Sequence, residues 1–402
     1  MTSDYSTLSH LLTKKISKVD KKNNGIYFTP PSTIQLNLKL LDPYIKTGTN
    51  VLEPSCGSCE YIHALNTRFD NLKIIGIELN DIIYDGIKHF SKQNVSIICQ
   101  DYLTYSPSAK YGLIIGNPPY FVMKKADVDN MYYEYFDGRP NIFVLFIIKS
   151  LTLLEENGIL SFVLPNNFLN CLYYDKTRKY INKCCNILHI VECNDDYIET
   201  KQPTILLIIQ KTMNTPDNDG YILRRNGYVI FGTETNIIEL KLLYNKSNNL
   251  SNLQFDVNVG TVVWNQCKSI LTDDTTKTRL IYSSDVLNNE LVVKKYTNID
   301  KKNYINKPGV TKPLLVINRG YGKGVYNFQY CLIKGGFEYL IENHLICINY
   351  SGVITDVALS ILYEKIITSL NDPRTKRFIK LYFGNNAINT TELKYILPIY
   401  DI

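Results

Sequence analysis

The chain has 402 residues, of which 45% are hydrophobic and 20% are charged, so its composition is that of an ordinary globular protein. This length exceeds that of most single domains and predicts two. The longest apolar runs, IFVLFII and TILLII, are too short to span a bilayer, and the chain opens on polar residues. These features predict a soluble intracellular protein with neither a membrane segment nor a secretory leader.

The net charge of +6 is distributed unevenly along the chain. Residues 1–232 carry 24 Lys and Arg against 23 Asp and Glu, whereas residues 233–402 carry 20 against 15. The excess in the second half suits a polyanionic partner, although scattered solvated lysines would give the same count. Ten cysteines without a secretory leader predict reduced thiols, and their spacing shows no structural metal site.

In the first half, short apolar runs alternate with helical patterns. A helix is predicted to begin at Ser32, which follows two prolines and can serve as its N-cap. The predicted strands are NVLEP, KIIGIEL, VSIIC, YGLIIGN, GILSFVLP, NILHIVEC and PTILLIIQK, and helices are predicted over residues 58–68, 82–91, 142–155 and 173–183. Apolar strands separated by helices predict an α/β fold with a doubly wound, mostly parallel sheet, which the last strand closes at the sheet's end.

Beyond about Gly232 this alternation stops. Strands such as LLVINRG and HLICINY are separated by long polar loops, and one clear helix is predicted near Val357 to Leu370. The sequence therefore predicts a first domain over residues 1–232 and a second, mixed α/β domain over residues 233–402.

Polar residues stand where four successive predicted strands end: Glu53, Glu78, Asp101 and Asn117. In a doubly wound sheet, ligands bind at the carboxyl ends of the strands. Glu78 follows the turn at Gly57 by the distance usual for a ribose-binding acid, a pattern that a nicotinamide enzyme would also show. The loop lacks GxGxxG spacing and is acidic, so it suits a ligand with sulfonium and ammonium groups better than a pyrophosphate. This points to S-adenosylmethionine.

The fourth strand ends in GLIIGNPPY, at Asn117, Pro118 and Tyr120. Proline fixes φ and has no N–H, so the turn is rigid and its carbonyl oxygens are available as acceptors. The Asn117 side-chain oxygen and the Pro118 carbonyl could each accept one N–H from the amine of an adenine that has left its helix. Tyr120 would then provide a stacking surface for the base.

Five segments in this order resemble the N6-adenine-specific DNA methyltransferases of restriction-modification systems, in the gamma-class, Taq-type arrangement: YFTPPSTI, VLEPSCGSCEYI, GIEL, QDYL and NPPY. The resemblance covers nearly the whole chain. It implies a Rossmann-like, S-adenosylmethionine-binding catalytic domain over residues 1–232 and a DNA-recognition domain over residues 233–402. It also implies double-stranded DNA as a partner, a separate restriction endonuclease as a potential one, and a monomer.

The resemblance also implies roles for individual residues. Thr29 and Pro30 would hold the methionine end of the cofactor, with Glu53 and the turn at Cys56 and Gly57 beneath it. Glu78 would bind the cofactor's ribose. Leu79 would contact its adenine, and Asp101 would accept a hydrogen bond from the adenine amino group. Asn117, Pro118 and Tyr120 would hold the flipped base, and Tyr197 would cover its other face. Where the family usually has a glycine late in the cofactor loop, this chain has Ser58-Cys59-Glu60.

In the second half, VGTVVWNQCKSILTDD and NRGYGKGVYNF resemble segments of the recognition domain, which implies DNA contacts by Arg319, Tyr321 and Lys323. Two alternatives remain open. NPPY enzymes also methylate protein glutamines or structural RNA, since a glutamine amide has a similar planar nitrogen. A nucleic-acid-binding protein that kept the fold without catalysis is the other alternative.

Overall fold

The computed structural model describes residues 5–193, 195, 197–198, 200, 202–319, 328–383 and 388–401. The chain divides into two compact units, Met1–Ile237 (unit 1) and Ile238–Ile402 (unit 2). None of the described helices is both long and apolar enough to cross a membrane.

Unit 1 alternates strands and helices over most of its length. Its strands are β1 Asn50–Glu53, β2 Lys73–Glu78, β3 Val95–Cys99, β4 Tyr111–Gly116, β5 Leu154–Pro165, β6 Cys185–Cys193, β7 Thr204–Lys211, β8 Ile222–Arg225 and β9 Tyr228–Phe231. Its helices are α1 Thr7–Lys15, α2 Lys18–Asn24, α3 Pro31–Leu41, α4 Glu60–Arg68, α5 Asp81–Ile87, α6 Ile142–Leu153 and α7 Asp175–Cys184, and α8 Glu234–Leu243 crosses into unit 2.

Within the described residues, β1 to β7 form one sheet in the order β3-β2-β1-β4-β5-β7-β6. Strands β1 to β5 pair in parallel, and β7 pairs antiparallel with both β5 and β6. Apolar clusters cover both faces of the sheet: one includes residues of α3, α4 and α5, and the other includes residues of α6 and α7. The predicted α/β, doubly wound, mostly parallel fold is confirmed.

The prediction that the last strand closes the sheet at its end is wrong, because β7 lies between β5 and β6. The burial of each strand explains the order. The first six residues of β7 are all buried, as an interior strand requires, whereas β6 alternates between buried and partly exposed positions, as suits an edge.

The predicted start of α3 is also wrong. The helix begins at Pro31, its N-cap is Pro30, and Ser32 lies exposed within the first turn. Proline is well suited to the first helical position, because its fixed φ matches the helix and its missing N–H would have had no helical partner there.

Unit 2 is built from small sheets and short helices. Its strands are β10 Ser247–Asn248, β11 Phe255–Val259, β12 Leu271–Thr272, β13 Thr278–Ile281, β14 Val286–Leu287, β15 Glu290–Leu291, β16 Tyr304–Ile305, β17 Leu314–Asn318, β18 Tyr330–Ile333, β19 Tyr339–Ile341, β20 Leu345–Tyr350 and β21 Ile399–Tyr400. An antiparallel sheet has the order β11-β20-β17-β18, and a mixed one has the order β12-β16-β13-β19.

In the described part of unit 2, three α-helices follow these sheets in the chain: α9 Asp356–Asn371, α10 Pro373–Phe378 and α11 Thr390–Tyr395. The sequence predicted only the first of them. The other two have six residues each, too few for a repeated amphipathic pattern, and they depend on end signals. Helix α10 has proline at its first position, and α11 has a capping box between Asn389 and Glu392.

Candidate active site

A cavity of about 330 Å³ lies in unit 1 at the carboxyl ends of β1, β2, β3 and β4. Five residues that the sequence singled out line it: Gly57, Glu78, Leu79, Asp101 and Asn117. The chain brings them together because parallel neighbouring strands end at one edge of the sheet. The remaining lining comes mainly from residues 24–28, which precede α3, and from aromatic and apolar side chains after β4.

The Glu78 carboxylate organises the loop that follows β1. Its Oε2 accepts a hydrogen bond from the Gly57 N–H at 2.9 Å, and its Oε1 accepts one from the Asn80 N–H at 2.8 Å. Burial raises the pKa of Glu78, and these backbone donors oppose that rise. Each carboxylate oxygen can accept more than one hydrogen bond, so the group can hold the loop and also receive ligand hydroxyls.

Leu79 and Asp101 both line the cavity and differ in exposure. The Leu79 side chain is 66% exposed. The Asp101 Oδ1 accepts from the Leu103 N–H at 2.8 Å, so the carboxylate is held in place at the end of β3. An exposed apolar side chain beside a fixed carboxylate suits a planar heterocycle that carries an amino group.

Glu53 lies behind the cavity wall, next to the lining residues Pro54 and Ser55. It is 3% exposed, and its Oε2 has no hydrogen-bond partner in the described part of the chain. Burial raises the pKa of Glu53 well above its usual range, and neighbouring Cys59 and Glu78 add to the rise. A buried carboxylate oxygen without a partner is costly, and a cationic ligand would supply one. The Glu53 carboxylate therefore fits the ammonium group of S-adenosylmethionine.

The Asn117 amide is held at both of its polar atoms. Its Nδ2 donates to the Tyr27 carbonyl at 3.1 Å, and its Oδ1 accepts from the Tyr120 hydroxyl at 2.5 Å. A carbonyl only accepts and Nδ2 only donates, so this network determines the orientation of the amide. The Asn117 backbone carbonyl accepts from the Ser55 hydroxyl at 3.1 Å, which ties the end of β4 to the loop after β1.

Sequence reasoning assigned no role to residues 24–28, which supply the Tyr27 carbonyl. Residues 24–28 line the cavity, and Gly25 ends α2 in a left-handed conformation with φ of +64°. A Cβ on Gly25 would lie 2.4 Å from the Tyr120 nitrogen. The available signal was the glycine itself, two residues before the aromatic of the TPP segment, since glycine is favoured at positions of positive φ and close backbone approach.

Three further residues were predicted to hold or cover a target base: Pro118, Tyr120 and Tyr197. The Tyr120 hydroxyl also lies 2.7 Å from the Val163 carbonyl, and its ring meets Phe143 edge-on at 6.1 Å. No described residue donates to the carbonyl oxygen of Pro118, which is therefore available as an acceptor. Tyr197 is 6% exposed, its hydroxyl lies 3.5 Å from the Thr204 hydroxyl, and it does not line the cavity.

Other predicted residues do not line the cavity. Thr29, Pro30 and Cys56 are buried, with Cys56 in the same apolar cluster as α3 and α4. Arg319 is exposed immediately after β17 in unit 2. Tyr321 and Lys323 lie outside the described residues.

The sheet order and the cavity at its carboxyl edge define a Rossmann-like fold, and the similarity of the chain to methylases implies S-adenosylmethionine as the cofactor. Residues 7–198 match the model of the Eco57I restriction-modification methylases. The predicted resemblance to methyltransferases of restriction-modification systems is confirmed, and the protein is a DNA methyltransferase of that type.

Similar proteins match over nearly the full chain. The modification methylase CviBIII of Paramecium bursaria Chlorella virus NC1A is 25% identical over 98% of this chain and 99% of its own. The type II methyltransferase M.CvrRI of Paramecium bursaria Chlorella virus XZ-6E is 25% identical over 96% of this chain and 97% of its own. The structure of the DrdV–DNA complex matches 94% of this chain and 57% of the DrdV chain, with a TM-score of 0.56 and 13% identity. At 13% identity, the similarity to DrdV is a similarity of fold.

Proposed function

We propose that the protein transfers a methyl group from S-adenosylmethionine to the N6 nitrogen of an adenine that is flipped out of double-stranded DNA. One observation carries the proposal: the oriented Asn117 amide and the adjoining Pro118 carbonyl end a strand at the edge of the cofactor cavity. An exocyclic amine has two N–H groups, and these two oxygens provide one acceptor for each.

The orientation of the Asn117 amide makes its Oδ1 and the Pro118 carbonyl oxygen a pair of hydrogen-bond acceptors. Because Nδ2 is occupied by the Tyr27 carbonyl, Oδ1 is the amide atom that would accept from the target, and an oxygen that already accepts from Tyr120 has a second lone pair. Acceptors on both N–H groups favour a more tetrahedral amine, whose lone pair is no longer delocalised into the ring. Fixed dipoles that match the reacting geometry lower the barrier without reorganisation.

The reaction then needs no covalent enzyme intermediate. The N6 lone pair forms a bond to the methyl carbon, the carbon–sulfur bond breaks with its electron pair going to sulfur, and the amine releases one proton to water. No cysteine lines the cavity in the described part of the chain, which argues against the nucleophilic thiol that methylation at carbon 5 of cytosine requires.

For the cofactor, Glu78 would accept from the ribose hydroxyls, Leu79 would contact the adenine face and Asp101 would accept from its amino group. Glu53 would pair with the ammonium group, above the turn at Cys56 and Gly57, while Thr29 and Pro30 would support the methionine end from behind. This assignment gives the partnerless Glu53 oxygen a counter-ion.

Unit 2 would recognise the DNA sequence. Residues 238–402 carry 20 Lys and Arg against 14 Asp and Glu, so the entire net charge of the chain resides there. A positive domain joined to a neutral catalytic one suits a phosphate backbone. Arg319, with Tyr321 and Lys323, would contact phosphates or base edges, and Tyr197 would cover the flipped base.

The experiment is to incubate the protein with unmethylated duplex DNA and cofactor labelled on its methyl group, digest the DNA to nucleosides and separate them. Label should appear in N6-methyladenine. Label in N4-methylcytosine would retain the acceptor pair but reject the adenine assignment. Label in protein or RNA, with none in DNA, would overturn the proposal in favour of a glutamine or RNA substrate.

A further inference from the structure

A long ribbon, residues 121–141, connects the NPPY turn to α6, and backbone hydrogen bonds close it at its base. The Met123 N–H donates to the Pro140 carbonyl at 2.8 Å, and the Ile142 N–H donates to the Phe121 carbonyl at 3.0 Å. The segment therefore leaves the edge of the sheet and returns to it beside the target-binding turn. We call it the target-side ribbon.

One side of the target-side ribbon is anchored in the core of unit 1. Val128, Tyr132 and Phe136 are buried in the same apolar cluster as α6. Lys125 lies over the Tyr133 ring, with its Nζ 4.6 Å from the ring centroid, and the Tyr133 hydroxyl donates to the Lys125 carbonyl at 2.9 Å. An excursion packed in this way presents its outer side chains from a defined support.

The other side of the ribbon is exposed and combines apolar, cationic and acidic groups. Val122 and Met131 are each 60% exposed. Lys124, Lys125 and Arg139 are exposed as well, and none of the three has an acidic partner in the described part of the chain. Of the ribbon's four carboxylates, Asp129 caps a short helix and Asp137 pairs with a lysine of α7 at 2.7 Å, whereas Asp127 and Glu134 are exposed.

We propose that the target-side ribbon is a DNA-contacting element, in which Val122 packs against the bases next to the flipped adenine and Lys124, Lys125 and Arg139 contact phosphates. This inference rests on the proposed function. A base that reaches Asn117 must leave a duplex that lies across the edge of the sheet from which the ribbon projects.

The position of Val122 explains why an apolar side chain would be exposed there. It lies two residues after Tyr120, and the intervening Phe121 lines the cofactor cavity. Removing one base from the stack leaves its neighbours unstacked, at a cost of a few kcal/mol. An apolar side chain that contacts the vacated space lowers this cost, as wedge residues of DNA-bending proteins do.

The first test compares Val122→Ser with Val19→Ser, since Val19 is 66% exposed in α2 and far from the ribbon in sequence. The substrate is a duplex with 2-aminopurine at the target position, which fluoresces when it is unstacked. Val122→Ser should lower the fluorescence gain on binding, and should lower kcat on a matched adenine duplex about 10-fold, equivalent to about 1.4 kcal/mol. Val19→Ser should match the wild type.

A duplex with a mismatch opposite the target adenine distinguishes a specific role of Val122 from a general loss of structure, because a misfolded variant would lose kcat on both duplexes. Because the mismatched base is already easier to extrude, the kcat of Val122→Ser should return to within about two-fold of wild type on it. Unchanged fluorescence with the matched duplex, or an equal loss of kcat on both duplexes, would overturn the role of Val122.

The second test compares two adjacent lysine pairs, Lys124→Gln/Lys125→Gln in the ribbon and Lys14→Gln/Lys15→Gln at the end of α1. If the ribbon lysines neutralise phosphates, the slope of log Kd for DNA against log salt should fall by about 1 to 2 in the ribbon variant alone. Equal slopes in both variants would overturn the phosphate contacts.

The same assays separate the two levels of inference. A wild-type protein that methylates no adenine in duplex DNA rejects the proposed function. Wild-type adenine methylation, together with ribbon variants that behave like their controls, rejects only the role of the ribbon.

Discussion

Gly25 lies directly against the backbone of Tyr120: a Cβ on Gly25 would be 2.4 Å from the Tyr120 nitrogen and 3.1 Å from its carbonyl carbon. Two residues after this glycine, the Tyr27 carbonyl accepts from the Asn117 amide. The segment that precedes α3 and the NPPY turn are thus packed as one unit, although they are far apart in the chain.

Replacing Gly25 by alanine should therefore impair catalysis. The methyl group would force the NPPY turn to move, and a misplacement of about 1 Å at a reacting group lowers kcat about 10²-fold. Gly48→Ala is the matched control, because Gly48 has φ of +82° and no atom within 4 Å of its would-be Cβ. Both variants carry the strain of a left-handed alanine, about 1 to 2 kcal/mol, and Gly25→Ala also carries the cost of the clash, so its thermal stability should fall further than that of Gly48→Ala. If both retained wild-type kcat, the contact with Tyr120 would have no catalytic role.

Asn117→Ala should abolish most methyl transfer while cofactor binding survives. The substitution removes one of two acceptors for the target amine, and losing one preorganised hydrogen-bonding group lowers kcat by about 10² to 10³. Glu78 and Asp101 remain in place, so Kd for the cofactor, measured by calorimetry, should stay within several-fold. Activity near that of the wild type would refute the acceptor mechanism.

Glu78→Gln should weaken cofactor binding. Both carboxylate oxygens accept backbone N–H groups, and an amide would turn one of these acceptors into a donor that faces another donor. Leaving a buried N–H without its acceptor costs about 1 to 3 kcal/mol, so Kd should rise by about 5- to 150-fold. The exposed Glu155, at the opposite end of the sheet, gives the control Glu155→Gln, which should bind the cofactor as the wild type does.

Glu53 predicts a pH dependence of stability for the cofactor-free protein. Burial raises the pKa of Glu53 in the folded state, so the folded protein holds this proton more tightly than the unfolded chain does. The contribution to stability is present below the unfolded pKa and is lost as pH rises through the folded one. The size of that loss is about 1.4 kcal/mol for every pH unit that separates the folded pKa from the unfolded one.

The amide in Glu53→Gln cannot ionise, so this variant should have a higher Tm than the wild type at pH 8, with a difference that shrinks towards pH 5. Cofactor affinity should fall in the same variant, because the cationic ligand loses its counter-charge. A difference in Tm that is independent of pH would show that Glu53 does not titrate in this range. Differential scanning fluorimetry without cofactor provides the measurement.

In unit 2, Asp285 should be important for folding. Its carboxylate pairs with Arg279 at 3.0 Å and accepts from the Tyr296 hydroxyl at 2.6 Å, and both charged side chains are buried. Asp285→Ala would leave the guanidinium buried without its counter-ion, which costs about 3 to 5 kcal/mol. Trp264, the only tryptophan in the chain, lies in unit 2 and reports its unfolding by fluorescence.

The exposed Asp273 provides the control for this measurement. It pairs with Lys302 at 2.6 Å, and exposed pairs contribute about 0 to 1 kcal/mol, so Asp273→Ala should shift the denaturation midpoint little. Equal shifts in the two variants would mean that the buried pair contributes no more than an exposed one.

The sequence predicted the fold class and the edge of the sheet at which the cavity lies. Strands that are apolar on both faces, separated by helices, allow few arrangements other than a covered parallel sheet. Polar residues that follow such strands then meet at one edge, and Glu78, Asp101 and Asn117 do line one cavity. The fold class and the position of the cavity both follow from the local periodicity of apolar residues, which can be identified from the sequence.

The tertiary structure alone decided the position of β7, the contact of Gly25 with Tyr120 and the orientation of the Asn117 amide. Each depends on groups that are distant in sequence and meet only after the chain has packed. The sequence pattern of an apolar strand does not depend on which strand lies beside it. A glycine indicates that another backbone segment can approach closely, but it does not identify that segment. The order of strands and the partners of polar atoms are set by the competition for burial and hydrogen bonds across the whole fold.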